Sequence, residues 1–239
     1  MGQPNEPRAS KPLPERIAQQ IREAIVDARL SFGEALSEEN LAAAFEVSRT
    51  PVREALDQLQ REGLVKIVPK SGTYVFTPTL ADIAALCEYR AGLELQAVEL
   101  AAARNGDALR RRLTDLADGM AKVIKSGDMC GYGRLDTQYH LAFLEGSENR
   151  YLQQGYTLIL GQVSALRTAL AVHTEAEPAR SFADHRLIID LLAQGNLRRL
   201  RTVLRAHILR TEKNYVSAFR DLASAEPRVD RLRRRLKSS

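Results

Sequence analysis

Two sets of residues in this chain carry chemistry, and they rest on different physics. The first is the run Ser48-Arg49-Thr50-Pro51-Val52-Arg53. Arg49 and Arg53 stand one helical turn apart, so both guanidiniums leave the same end of one helix. Arginine reads guanine edges through paired hydrogen bonds and hydroxyls such as Thr50 bind phosphate, which suits a helix entering a DNA major groove. The second set is the histidines, of which there are four: His140, His173, His185 and His207. Asp136 and His140 are four residues apart and share a helix face, one local pair of metal donors. His185 and His207 fall on later helices. Convergence of all four groups in a bundle core is one reading; separate, hydrogen-bonded histidines are the other. A mixed nitrogen and oxygen set suits Zn²⁺, Ni²⁺, Mn²⁺ or Fe²⁺ and is poor for Cu(I).

The elements around the first set follow from local signals. Ser48 is the expected N-cap, and Pro51 falls in the first turn, where a missing N–H costs little. Val52, Ala55, Leu56 and Leu59 recur at helical spacing and form an inner stripe. Upstream, Ser37 to Phe45 reads as a short helix capped by Ser37, with Leu41, Ala44 and Phe45 inward. Only Glu46 and Val47 intervene, which makes a helix-turn-helix. Leu13 to Leu30 carries Ile17, Ile21, Ala24, Ile25 and Ala28 on one stripe, a third helix. Gly63 sits where a helix end wants a left-handed residue. Leu64–Val68 and Thr73–Phe76 then predict a hairpin wing, with Lys70 at a basic tip able to touch phosphate or reach the minor groove. That order is what a winged helix requires, and it outweighs the reading of Arg49 and Arg53 as ordinary solvated charge.

Beyond Phe76 the β-branched runs give way to helices over Thr79–Arg104, Asp107–Lys125, 129–145, 149–173, 181–194 and 197–221. Asn105-Gly106 separates the first two. The predicted fold class is therefore mainly α: an N-terminal winged helix-turn-helix followed by an all-α antiparallel bundle. The boundaries are a flexible N-terminus over 1–10, a DNA-binding domain over 11–77, a helical domain over 78–225 and a poorly ordered basic tail over 226–239.

Charge supports this division more than it supports DNA binding as such. The net charge is +5 and the pI about 9.4. Yet residues 1–80 hold 10 Lys+Arg against 11 Asp+Glu, and residues 226–239 hold 6 against 2. The basic balance comes mainly from the tail, so nucleic-acid recognition rests on local placement. Cys87 and Cys130 lack paired-cysteine metal spacing and read as plain thiols of a reducing cytoplasm. The polar, proline-broken start has no apolar core for secretion, and no run is long enough to span a membrane. A cytoplasmic protein without a membrane partner is expected.

With those residues in view, Leu36-Ser37-Glu38-Glu39-Asn40-Leu41-Ala42, Val47 to Leu56, Glu62-Gly63-Leu64-Val65 and Gly72-Thr73-Tyr74-Val75 resemble the winged helix of the GntR family of bacterial transcription regulators. The resemblance implies DNA contacts from Arg49, Thr50, Arg53 and Gly72, to which the local geometry adds Ser48 and Lys70. Glu39 departs from the pattern: many relatives carry an arginine there, against the phosphate backbone. Asp136-Thr137-Gln138-Tyr139-His140, Glu148 to Leu152, Asp184-His185-Arg186 and Arg205-Ala206-His207-Ile208 resemble the FadR-like branch with its FCD ligand-binding domain. That likeness implies one divalent metal per chain on Asp136, His140, His185 and His207, with Zn the first choice among Zn, Ni, Mn and Fe. Tyr139 replaces a common phenylalanine and Asp184 a common glutamate; His173 matches no ligand position.

Positions left open on the metal imply a small carboxylate effector. Arg90, with Glu94 one turn later, matches the family's Arg-x₃-Glu and is the first choice to clamp such an acid. Arg134 and Arg167 follow. The alternative for Arg90 and Glu94 is a plain i,i+4 ion pair. The whole implies a homodimer on palindromic operator DNA, and not an enzyme. Two rivals remain: a regulator with a purely structural metal and an acyl or apolar effector, and a metal-dependent hydrolase, for which no general base is evident.

Overall fold

The computed structural model describes residues 11–173 and 177–224, so the expectations for the two chain ends lie outside the described residues. The chain divides into two compact units between Thr77 and Pro78. In the first, α1 (Leu13–Val26) buries Ile17, Ala18, Ile21 and Ile25 against α3 (Arg49–Arg61), which buries Val52, Ala55, Leu56 and Leu59. Helix α1 stops short of the expected Leu30, because Asp27 closes it and Ala28 turns to φ 56°. Arg22 donates from Nε and Nη2 to Glu62 at 2.7 and 2.6 Å, tying α1 to the end of α3.

Between them, α2 (Glu38–Phe45) is capped by Ser37, whose Oγ accepts from Asn40 N at 3.3 Å. Its inward residue is Ala42; Ala44, expected inward, is exposed because two residues along a helix rotate the side chain about 200° away. Ser48 occupies the N-cap position of α3 in extended conformation, but its hydroxyl makes no capping bond. The wing strands are β2 (Val65–Val68) and β3 (Gly72–Val75). A further strand, β1 (Ala35–Leu36), pairs with β3 and completes an antiparallel sheet ordered β1-β3-β2. Sequence reading missed β1 because two residues carry no periodicity.

The second unit is helical throughout its described residues. Helix α4 (Leu80–Ser126) opens on a capping box between Thr79 and Asp82. It runs through the break expected at Asn105-Gly106: Asn105 leaves helical geometry at φ −154° and ψ 65°, and its Oδ1 accepts from Ala108 N, so the two predicted helices are arms of one bent element. It packs along α5 (Met129–Gly146), α7 (Glu177–Ala193) and α8 (Leu197–Ser224). Helix α7 begins four residues before the expected start at 181, with Pro178 in its first turn, where proline is tolerated. Helix α6 (Arg150–His173) packs on α5. That contact is close at Gly133, where a β-carbon would lie 2.6 Å from Thr168 Oγ1 and 3.0 Å from Thr168 Cα. Only glycine lets α5 approach α6 this tightly, and three residues later α5 presents Asp136 toward Arg167 of α6.

Candidate functional site

The bundle core holds a cluster of polar groups drawn from five helices. His140 on α5, His185 on α7 and His207 on α8 are all buried, and each offers a ring nitrogen within 4.8 Å of the others. Asp136, one turn before His140, sets Oδ1 3.5 Å from His185 Nε2 and Oδ2 3.9 Å from His140 Nε2. The same carboxylate lies 3.0 Å from Arg167 Nε and accepts from Ser181 Oγ at 3.3 Å. The four residues that spacing left open as separate groups are thus neighbours. His173 is the exception: its side chain lies outside the described residues.

Carboxylates orient two of the three rings. His140 Nδ1 donates to Glu94 Oε2 at 2.6 Å, leaving a lone pair on Nε2, which accepts from Arg90 Nη2 at 3.0 Å. His207 Nδ1 donates to Asp184 Oδ2 at 3.2 Å, and Arg210 binds the same oxygen. A second partner on the far nitrogen is what fixes the tautomer of a metal-binding histidine. His185 is held differently. Tyr139 donates its hydroxyl to the His185 carbonyl at 2.9 Å and packs its ring 4.2 Å from the imidazole, while neither His185 ring nitrogen makes a hydrogen bond among the described residues. A fully buried imidazole with both nitrogens unsatisfied is costly unless something binds there.

The electrostatics keep this cluster ready for a cation. Burial, reinforced by the charges of Arg167 and Arg90, holds His140 neutral well below its ordinary range. Burial likewise pushes His185 down to about 3. For Asp136 burial works the other way, but the Arg167 guanidinium beside it outweighs burial and keeps the carboxyl far below its ordinary value. Neutral imidazoles at His140 and His185 and an ionised carboxylate at Asp136 are ligand forms a divalent metal requires. Nearby, Glu94 accepts from Arg90 Nε at 2.6 Å and Tyr156 OH at 2.8 Å, with Arg167 Nη2 at 3.5 Å. Arg90 and Arg167 against Glu94 and Asp136 leave the buried set neutral overall. The donor set, three nitrogens and an oxygen, fits Zn²⁺, Ni²⁺, Mn²⁺ or Fe²⁺.

Beside the imidazoles is a small cavity, about 20 Å³, lined among others by Arg90, Arg167, Tyr132, Ser181 and Tyr215. Two of the three arginines suggested by sequence therefore reach it. Arg134 does not: it precedes Asp136 by two residues, which turns it about 200° around α5 to the exposed face. Arg90 is committed to Glu94 and His140, and its pair with Glu94 is fully buried, unlike a surface i,i+4 pair. Sequence reading gave no role to Tyr156, Ser181 or Tyr215, and noted Tyr139 and Asp184 only as departures. An acid adjoining a histidine was the one signal available for Asp184.

In the first unit, Ser48, Arg49, Thr50 and Arg53 are exposed at the start of α3. Lys70 (φ 62°) and Gly72 (φ 138°) are exposed at the wing turn, and the latter angle favours glycine. Both arginines are paired: Arg53 donates from Nη2 and Nε to Glu38 at 2.9 and 3.3 Å, and Arg49 Nη2 lies 3.2 Å from Glu39. The Arg53 contact holds Glu38 below its ordinary pKa.

Comparison with known proteins matches both units. Residues 13–75 match the family described as bacterial regulatory proteins, gntR family, and residues 85–210 match the FCD domain. An HTH-type transcriptional regulator in an unstable DNA locus of Streptomyces ambofaciens is 31% identical over 192 residues, 79% of this chain and 78% of that one. The HTH-type transcriptional regulator LutR of Bacillus subtilis is 28% identical, covering 72% of this chain and 86% of its own. The gluconate operon transcriptional repressor of the same organism is 30% identical over 58% of this chain and 56% of its own. Among solved structures, a GntR transcriptional regulator from Rhodococcus sp. RHA1 superposes with a TM-score of 0.75 at 25% identity, over 86% of this chain and 98% of that one. McbR/YncC of E. coli, at 21% identity, shares the fold with a TM-score of 0.73 over 88% of this chain and all of its own.

Proposed function

The chain belongs to the GntR family of bacterial regulatory proteins, in the group carrying an FCD domain, and is a ligand-responsive transcription regulator; from that premise we propose that it binds a palindromic operator as a homodimer and responds to a small carboxylate held beside a divalent metal. Ser48, Arg49, Thr50 and Arg53 of the recognition helix, with Lys70 and Gly72 of the wing, form the DNA-contacting set. Two-fold symmetry of the dimer matches two half-sites. The gluconate operon repressor among the relatives supports repression as the sign of control.

Asp136, His140, His185 and His207 would hold the metal, which supplies a fixed positive charge for an anionic ligand. One observation carries this reading: His185 is buried with neither ring nitrogen bonded, beside two imidazoles whose far nitrogens are already fixed. Because the charged side chains of the cluster, Arg90 and Arg167 against Glu94 and Asp136, already balance, a divalent ion would add two uncompensated positive charges, and a carboxylate would offset one of them. Arg167 lines the cavity and is one partner for that carboxylate. Arg90 must give up His140 Nε2 for this nitrogen to ligate, which leaves the guanidinium available to the acid. Leu170, Ala171 and Pro178 give the lining an apolar side, but its charged groups, Arg90, Asp136 and Arg167, favour an acid over an acyl chain.

A cavity of about 20 Å³ has room for little more than a water-sized group, so a larger effector would widen it by moving lining side chains. Displacement of that kind couples the ligand to the state of the bundle. A coupling of about 1–3 kcal/mol would change operator affinity roughly 5- to 150-fold. The test is metal content of gently purified, untagged protein by plasma mass spectrometry, beside an Asp136→Ala/His185→Ala double variant. Near one divalent ion per chain, lost in the variant, is expected. A folded wild type that stays metal-free after incubation with Zn²⁺, Ni²⁺ or Mn²⁺ would sink the metal and effector assignments and leave the DNA assignment standing.

A further inference from the structure

Each arginine of the proposed recognition helix is paired with its own carboxylate. Glu38 and Glu39 are the first two residues of α2, the helix that crosses the DNA backbone in a helix-turn-helix. A helix N-terminus with free N–H groups is a natural phosphate seat; here it carries two carboxylates. Across residues 38–54, Glu38, Glu39, Glu46 and Glu54 outnumber Arg49 and Arg53. Acidic residues favour a helix N-terminus on dipole grounds alone. That does not account for each of the two reaching a different arginine of α3, ten and fifteen residues on, at 3.2 and 2.9 Å. Glu39 is 74% exposed and Arg49 59%, so neither is driven into the pair by burial.

We propose that Glu38 and Glu39 are specificity-determining residues that penalise the capture of Arg49 and Arg53 by phosphate while tolerating their contact with bases. A phosphate is anionic, so an arginine reaching it must leave its carboxylate or bring two like charges together. A guanine edge is uncharged. A guanidinium has five N–H donors, and one edge can meet guanine O6 and N7 while another keeps its glutamate. The carboxylates therefore weaken binding to arbitrary sequence more than binding to the operator, an element of repulsion that sharpens selectivity. The inference rests on Arg49 and Arg53 being DNA-contacting residues.

The experiment compares wild type with Glu38→Gln, Glu39→Gln and the double variant, which keep side-chain shape and whose folding is verified by circular dichroism. Fluorescence anisotropy reads binding to a random-sequence duplex pool of about 30 base pairs, and to the tightest duplex that wild type selects from such a pool, between 50 and 200 mM salt. In the double variant, affinity for the random pool should rise roughly tenfold, and the log–log salt slope should steepen by about 1 to 2, one unit per extra phosphate neutralised. The selected duplex should gain much less, so the discrimination ratio falls. Unchanged random-pool affinity and slope would overturn the proposal. So would loss of selected-duplex binding alone, which would make a glutamate a base reader. Arg53→Ala, run alongside, separates the two levels. Loss of selected-duplex binding upholds the recognition-helix assignment whatever the glutamates do, and full retention overturns both.

Discussion

Arginine serves both units, under opposite conditions. The Arg53 side chain is 64% exposed and shares one carboxylate, Glu38, which is itself at the surface. The Arg90 side chain is 1% exposed and shares Glu94 with His140, Tyr156 and Arg167, all buried. Water competes for the first pair, so its partners can change at little cost. In the bundle no solvent replaces a lost partner, and each group depends on all the others. The same ion-pair chemistry thus gives an exchangeable contact at the surface and a fixed frame in the core.

The sharpest way to break this contrast is to remove the shared carboxylate. Glu94→Ala strands two guanidiniums and an imidazole in the core and should cost about 3–5 kcal/mol in urea unfolding of the helical unit. Glu38→Ala should leave the unfolding midpoint essentially unchanged. Equal effects would mean that the buried network is not the frame it resembles. Next in size is Gly133→Ala. Its methyl group meets Thr168 backbone and side chain together, so α5 and α6 must part, at about 1–3 kcal/mol, and thermal melting should reveal it. A gain in stability would show that the helices have room to adjust.

The smallest effect lies between these extremes, at the partly buried pair of Arg22 and Glu62. Burial pushes the Glu62 carboxyl up, but Arg22 and Gln58 outweigh it and hold its pKa below the ordinary value. A depressed carboxyl contributes stability above its unfolded value and loses it as pH falls through the folded value. Protection of α3 amides from hydrogen exchange, compared between wild type and Arg22→Ala, should therefore differ by less than about 1 kcal/mol near neutrality. The difference should persist above the unfolded glutamate value of about 4.3 and vanish as pH falls below it and through the lower folded value. A gap that persists in acid would assign the contact to packing and not to charge.

What could be read from the sequence follows the same division. The recognition helix was legible because its cap position, its arginines and its buried stripe occupy consecutive turns of one segment. The wing was legible from two short β-rich runs, whereas β1 was invisible at two residues. Asp136 and His140 were legible as a pair, being one turn apart. That His185 and His207 meet them is a product of helix packing, which no spacing encodes. Glu94 lies 46 residues from the ring it orients, and the reading of it as half of an ion pair with Arg90 caught one of its four partners. Arg134 misled through proximity in sequence: two positions from Asp136 is nearly the opposite side of a helix. At Asn105 the local signal was right about the interruption and wrong about its extent, because packing along α5, α7 and α8 carries α4 past a single non-helical residue.

The neutrality of the polar cluster bears finally on the order of events in the cell. Small metal-dependent domains draw their folding energy from the ion and stay unfolded without it. Here Arg90 and Arg167 are already offset by Glu94 and Asp136, so no net charge opposes folding of the empty bundle, and the standing cost is confined to the unbonded imidazole of His185. On the proposed metal reading the chain would fold first and be loaded afterwards, so protein made during metal starvation would stand as a finished reserve, filled when supply returns and without new translation.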